Sequence, residues 1–110
     1  MPYEIILSPE AVEDLSNLKA NVRSAVKDAI EKHLQHNPIK TSKSRINRLR
    51  GLSRPQYRLR VDEARVFYDV TEDAVEILAI VDKADAEAWL EKVGQADAES
   101  GDNDEGNPSI

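Results

Sequence analysis

Tyr57-Arg58-Leu59-Arg60-Val61, then Asp62-Glu63, then Ala64-Arg65-Val66-Phe67-Tyr68 is the stretch that decides the fold. Both runs alternate with period two, and a short polar pair separates them, as in a hairpin. If Asp62-Glu63 is a two-residue loop, Val61 faces Ala64, Leu59 faces Val66 and Tyr57 faces Tyr68. That face is apolar or aromatic. On the other face Arg60 lies opposite Arg65, and Arg58 lies opposite Phe67. A loop one residue longer would mix arginines into the core face, so burial selects the two-residue register. Asp-Glu lacks the glycine that such tight turns favour.

The elements on either side follow from periodicity. Tyr3 to Leu7 is a short apolar strand. Ser8-Pro9-Glu10 opens a helix, with Ser8 as N-cap, Pro9 at the first helical position and Glu10 near the positive dipole end. Ala11, Leu15 and Leu18 continue it. A second helix, from about Asn21 to His36, carries Val22, Ala25, Val26, Ala29, Ile30 and Leu34 on one stripe, and Asn37-Pro38 closes it. Ile46, Leu49 and Leu52 give a weak strand. Ala74 to Asp82 is an apolar central strand, in which Val75, Ile77 and Ala79 alternate with Glu76, Leu78 and Ile80. Asp82 caps a last helix running from about Lys83 to Val93. The expectation is an α+β fold of order β-α-α-β-β-β-α, with one further strand near Arg45. Its antiparallel sheet carries an N-terminal helix hairpin and a C-terminal helix. Composition divides the chain into a domain over residues 1–94 and an acidic, disordered tail over residues 95–110.

A length of 110 residues with 40% apolar content suits one domain with a modest core. Without cysteine there is neither a disulfide nor thiolate chemistry. No apolar run approaches the roughly 20 residues that cross a bilayer. The start lacks the pattern of a signal peptide, so a cytoplasmic location with no membrane partner is expected.

The net charge of −6 hides a strong segregation. Residues 40–65 carry nine basic and two acidic side chains, whereas residues 66–96 carry two and eight and residues 97–110 none and five. One strongly basic block inside an acidic chain points to a local anion site, RNA phosphate above all. Like charges opposite one another on a sheet are destabilising. Arg60 against Arg65, with Arg58 beside them, is therefore a poor choice for stability alone, and a bound anion would reverse its sign. Arginine also offers fixed donors that fit phosphate oxygens. The plainer alternative is a solvated strand face whose arginines pair with Asp62, Glu63 or Asp69. Lys40, Lys43, Arg45, Arg48, Arg50 and Arg54 extend the patch, either as a nucleic-acid track or as a basic edge that resists strand pairing. His33 and His36 suit the C-terminal end of a helix dipole better than a metal, for which no third ligand is evident. Trp89 fits the core more readily than a base-stacking platform. No zinc spacing, phosphate-binding glycine loop or nucleophile elbow occurs.

Leu49-Arg50-Gly51-Leu52, Tyr57-Arg58-Leu59-Arg60-Val61 and Arg65-Val66-Phe67-Tyr68-Asp69-Val70 together closely resemble the RelE/ParE toxin family of bacterial toxin–antitoxin systems. The following strand and terminal helix continue the match, which spans about residues 3–93. The resemblance implies a RelE-like fold and a toxin neutralised by a cognate antitoxin, reaching operator DNA only through that antitoxin. It also implies a ribosome-dependent mRNA endonuclease acting in the ribosomal A site, with no cofactor and no metal. ParE-type members instead inhibit DNA gyrase, and a catalytically inactive antitoxin-binding module is a further alternative. Carried over by position, the catalytic set is Arg58, Arg60, Arg65 and Lys83, and the RNA-binding set is Lys43, Arg45, Arg48, Arg50, Arg54 and Trp89. Lys83 stands where the family usually has arginine, and Trp89 where many members have tyrosine. The first keeps the charge without the planar fork; the second can stack but has no phenol hydroxyl.

Overall fold

The structure is a computed structural model that describes residues 2–96. In chain order it contains β1 (Glu4–Leu7), α1 (Pro9–Ser16), α2 (Ala20–Ala29), β2 (Ile46–Arg48), β3 (Leu52–Arg54), β4 (Tyr57–Val61), β5 (Ala64–Val70), β6 (Ala74–Asp82), α3 (Ala86–Val93) and β7 (Gln95–Ala96). A π-helical turn, Ile30–Leu34, continues α2, and a 3-10 turn, Lys83–Asp85, leads into α3. The second helix thus ends two residues before the expected His36, where the chain begins to turn toward Pro38.

The caps form as the sequence predicts. The Ala11 N–H donates to Ser8 Oγ at 3.0 Å, and the Ser8 hydroxyl donates to the Leu78 carbonyl oxygen at 2.9 Å, which ties the start of α1 to β6. Pro9 occupies the start of α1. Asp82 Oδ2 accepts from the Ala84 N–H at 3.2 Å.

The main sheet has the order β1-β6-β5-β4-β2. The β2–β4, β4–β5 and β5–β6 pairs are antiparallel. β1 instead runs parallel to β6, which departs from the all-antiparallel expectation. Tight turns force antiparallel pairing only between the strands they join, and no such turn links β1 to β6. The hairpin register is the one that burial selects: Tyr57 pairs with Tyr68, Arg58 with Phe67, Leu59 with Val66, Arg60 with Arg65 and Val61 with Ala64. Asp62 takes the left-handed conformation, φ 52°, which an aspartate tolerates better than most residues. The turn therefore closes without glycine.

One face of the sheet is packed by α1 and α2. Ala11, Val26, Ile30 and Leu34 bury against Leu59, Val66, Tyr68, Val75, Ile77 and Ile80. The Tyr68 hydroxyl, deep in this layer, donates to the Pro38 carbonyl oxygen at 2.6 Å. β6 does not keep strict alternation. Phe67 pairs with Ala79 but Tyr68 with Ile77, so Leu78 is an extra residue in a bulge. The bulge resets the phase, and Ile80 rather than Ala79 joins Ile77 and Val75 in this core. α3 covers part of the opposite face, where Trp89 stacks on Phe67 with centroids 4.7 Å apart.

The weak strand near Arg45 divides in two at Gly51, whose φ of +77° suits glycine. β2 joins the main sheet, while β3 pairs with β7 in a separate two-stranded ribbon. Gln95 and Ala96, which composition places in the tail, thus belong to a strand, because backbone pairing needs no apolar side chain. Residues 97–110, the rest of the expected disordered tail, lie outside the described residues. Among the described residues no helix is long and apolar enough to cross a membrane.

Candidate functional site

The sheet face away from α1 and α2 brings Arg58, Arg60 and Arg65 together, because β4 and β5 pair in the register that puts Arg60 against Arg65. Their environments differ. Arg58 and Arg60 are half-buried. Arg65 is only 6% exposed, not on an open surface as strand alternation alone implies. Its Nη1 donates to the carbonyl oxygens of Asp62 and Ala64, both at 2.9 Å. Those bonds tie the guanidinium to the hairpin turn, so Arg65 has a structural duty that the alternation pattern does not reveal. Burial, and then the charges of Arg60 and Arg58, lower the Arg65 pKa from its ordinary value, with Glu63 and Asp82 partly offsetting them. The repulsion inferred between the two opposed arginines is therefore present in the fold.

Arg58 is held only in part. Its Nη2 donates to Asn47 Oδ1 at 3.3 Å, and its Nε is enclosed with no hydrogen-bond partner among the described residues. A buried donor left unsatisfied costs about 1–3 kcal/mol, so such groups commonly mark a place where function overrides stability. Asn47, opposite Arg58 in β2, is the residue that sequence reasoning misses. Its signal lies in the β2–β4 register, and the weak alternation around Ile46 does not fix that register.

Lys83 follows β6 directly. Its N–H donates to the Glu63 carbonyl oxygen at 2.7 Å, which sets the residue beside the β4–β5 turn, and its side chain is exposed. Trp89 is half-buried with one ring face on Phe67. It serves as the lid of the small apolar layer under α3, as core packing requires, and its edge lines a hollow of about 230 Å³ together with Ser8, Arg54, Pro55 and Leu78.

The basic run before the hairpin does not act as one block. Arg48 Nη1 donates to the carbonyl oxygens of Leu49 and Gln56 at 3.0 and 2.8 Å, and its guanidinium lies 5.3 Å from the Tyr57 ring centroid. Arg54 pairs with Asp69 at 3.0 Å. Asp69 is buried, and its second oxygen accepts from the Gln56 N–H at 2.7 Å. Desolvation raises the Asp69 pKa against the opposing pull of that bond and of Arg54. Arg48 and Arg54, like Lys43, Arg45 and Arg50, are exposed, but these two are engaged in holding the β3–β4 segment. His33 and His36 stand at and just beyond the π-helical turn, and no cluster of metal-ligating residues forms around them among the described residues.

The arrangement can do two things chemically. Arg58 and Arg60 offer donors to an anion lying on the open sheet face, and Lys83 adds a flexible ammonium at its margin. The carboxylates whose charges reach this cluster are Glu63 and Asp82, which act on Arg65.

Comparison with curated protein sequences gives no match. Among solved structures, the chain is similar to the toxin of the RelB–RelE antitoxin–toxin complex of Methanococcus jannaschii, at 20% identity and TM-score 0.61, covering 77% of this chain and 98% of that one. It is similar to the archaeal RelE–RelB complex of Pyrococcus horikoshii at 22% identity and TM-score 0.63, with 76% and 97% covered. A mutant of E. coli RelE in the free state matches at 20% identity and TM-score 0.63, with 84% and 99% covered. These likenesses agree with the α+β architecture and its mostly antiparallel sheet. The family model described as "ParE toxin of type II toxin-antitoxin system, parDE" matches residues 5–87. That match covers more than half of the chain, and the chain belongs to the RelE/ParE family of type II toxins.

Proposed function

We propose that this toxin is a ribosome-dependent mRNA endonuclease that inhibits translation. The observation that carries the reading is the pair Arg58 and Arg60, half-buried on an open sheet face and incompletely satisfied by the protein. In the proposed step the ribose 2′-hydroxyl attacks the adjacent phosphorus, the bond to the 5′-oxygen breaks, and a 2′,3′-cyclic phosphate and a 5′-hydroxyl end result. Arg58 and Arg60 stabilise the negative charge that builds on the phosphoryl oxygens, a preorganised electrostatic effect that is often the largest catalytic contribution. The Lys83 ammonium protonates the leaving 5′-oxygen, and the 2′-hydroxyl proton passes to water. Arg65 acts through the turn it holds rather than through the phosphate. Lys43, Arg45 and Arg50 supply longer-range attraction for the RNA backbone, and Trp89 presents its free edge to a base. A cognate antitoxin neutralises the toxin by covering this face with carboxylates, and operator DNA is reached through that antitoxin. The site of action is the cytoplasm.

The second reading is inhibition of DNA gyrase. It is favoured by the ParE description of the family match. Expression in bacteria with mapping of mRNA 5′ ends separates the two. Clusters of cuts inside translated codons, carrying 5′-hydroxyl ends, support the endonuclease. Gyrase-linked DNA breaks with intact mRNA overturn it.

A further inference from the structure

A hollow of about 290 Å³ lies away from the β4–β5 arginines, where the π-helical turn after α2 meets the loop into β2. Its wall includes Lys32, His33, Lys40, Ser42 and Arg45, and no carboxylate. Three exposed cationic side chains and an imidazole thus surround one small space, which makes the hollow locally positive.

Two further observations point to a ligand. The Ser42 Oγ accepts from the N–H groups of Arg45 and Ile46 at 3.1 and 3.4 Å. Both lone pairs are then engaged, and the hydroxyl hydrogen is left to donate. The second concerns His33. A histidine at the C-terminal end of a helix normally gains proton affinity from the dipole. Here its pKa is lowered from the ordinary value. Burial is the leading cause, and the charges of Arg45 and Lys32 act in the same direction.

We propose that this hollow is a phosphate pocket that holds one phosphate of a nucleic-acid backbone, in addition to the contact made on the arginine face. Lysine ammonium groups and a free hydroxyl suit a tetrahedral anion with several acceptor oxygens. The pocket is also joined to the arginine strand, since the Arg60 N–H donates to the Arg45 carbonyl oxygen at 2.8 Å. β2, which begins at the hollow, is the edge strand beside β4. The choice of nucleic acid as the source of the phosphate rests on the function proposed above.

The test has two arms, both on the full chain and without ribosomes. In the first, the His33 and His36 ring resonances are followed through a pH titration with and without inorganic phosphate. The pocket predicts that phosphate raises the His33 midpoint and leaves exposed His36 unchanged; equal movement of both, or of neither, overturns the proposal. In the second arm, binding of a labelled single-stranded RNA is measured against salt for the wild type and for the Lys32→Gln/Lys40→Gln variant. Loss of one phosphate contact should weaken binding about fivefold near 0.1 M salt and reduce the salt slope by about 0.7. Unchanged RNA affinity and slope, even with His33 responding to phosphate, overturns the assignment to nucleic acid. Because binding is read without cleavage, failure of the endonuclease reading in cells is a separate result from failure here.

Discussion

The two faces of the central hairpin are built from alternate residues of the same two strands, yet they obey opposite rules. Toward α1 and α2, Leu59, Val66 and Tyr68 are fully buried, and the buried Tyr68 hydroxyl has its acceptor. Toward solvent and α3, the same strands present Arg58, Arg60, Arg65 and Asp69, with Phe67 covered by Trp89. Among the described residues the first face leaves no buried side-chain polar atom without a partner, and it carries the fold. The second keeps like charges opposed and leaves the Arg58 Nε unpaired. A surface that tolerates such costs next to a core that tolerates none is where function is to be sought.

The largest expected effect breaks the first face. Leu59→Ala removes a fully buried side chain at the centre of the core and should cost about 2–5 kcal/mol, the range for large-to-small core changes. Urea unfolding checks it; a loss under about 1 kcal/mol would mean that the helical layer can collapse onto the sheet. Tyr68→Phe is the finer version. It keeps the ring stacked on Tyr57, at 5.5 Å between centroids, but strands the Pro38 carbonyl oxygen, for an expected loss of about 1–3 kcal/mol.

Arg65 sits between the two rules. Arg65→Gln deletes the bonds to the Asp62 and Ala64 carbonyl oxygens while relieving repulsion from Arg60 and Arg58. The lost bonds to a charged donor should outweigh the relief, giving a net loss of about 1–2 kcal/mol. Arg60→Gln relieves the same repulsion and, with no protein hydrogen bond from its guanidinium among the described residues, should leave stability within roughly 0.5 kcal/mol of wild type or raise it. Toxicity should fall sharply in Arg60→Gln. Wild-type toxicity in a soluble Arg58→Gln/Arg60→Gln variant would remove these two residues from the site.

How much of this was legible from the sequence follows from which forces are local. The hairpin register was legible because only one register keeps arginine out of the core. The caps at Ser8 and Asp82 were legible because a cap needs only its own next few residues. The parallel pairing of β1, the Leu78 bulge and the β3–β7 ribbon were not, since each depends on partners far away in the chain. At the site, alternation placed Arg58, Arg60 and Arg65 on one face but could not distinguish an open arginine from one tied to its own turn. It was equally silent on Arg48 and Arg54, whose partners are backbone carbonyl oxygens and an aspartate 15 residues on.

The smallest expected effect asks whether the α2 end shares the second face's rule. His33 has its pKa lowered in the folded protein, so the fold favours its neutral form. Well above the ordinary value of about 6.5 both folded and unfolded chains hold a neutral imidazole, and the group contributes nothing. As the pH falls through that value the unfolded chain takes up the proton first, so the folded state loses stability, and the loss is complete below the lowered pKa. The charged groups lining the hollow with His33 are Lys32, Lys40 and Arg45. His33→Gln should therefore flatten the stability profile as the pH falls through the ordinary imidazole value, by no more than roughly 0.5 kcal/mol. Chemical denaturation across that range measures it. Inorganic phosphate should reproduce the His33→Gln flattening in the wild type, because an anion in the hollow stabilises the imidazolium. If the wild-type profile keeps its slope in phosphate, the cations at the end of α2 are a solvated helix terminus, and the resemblance to the arginine face ends there.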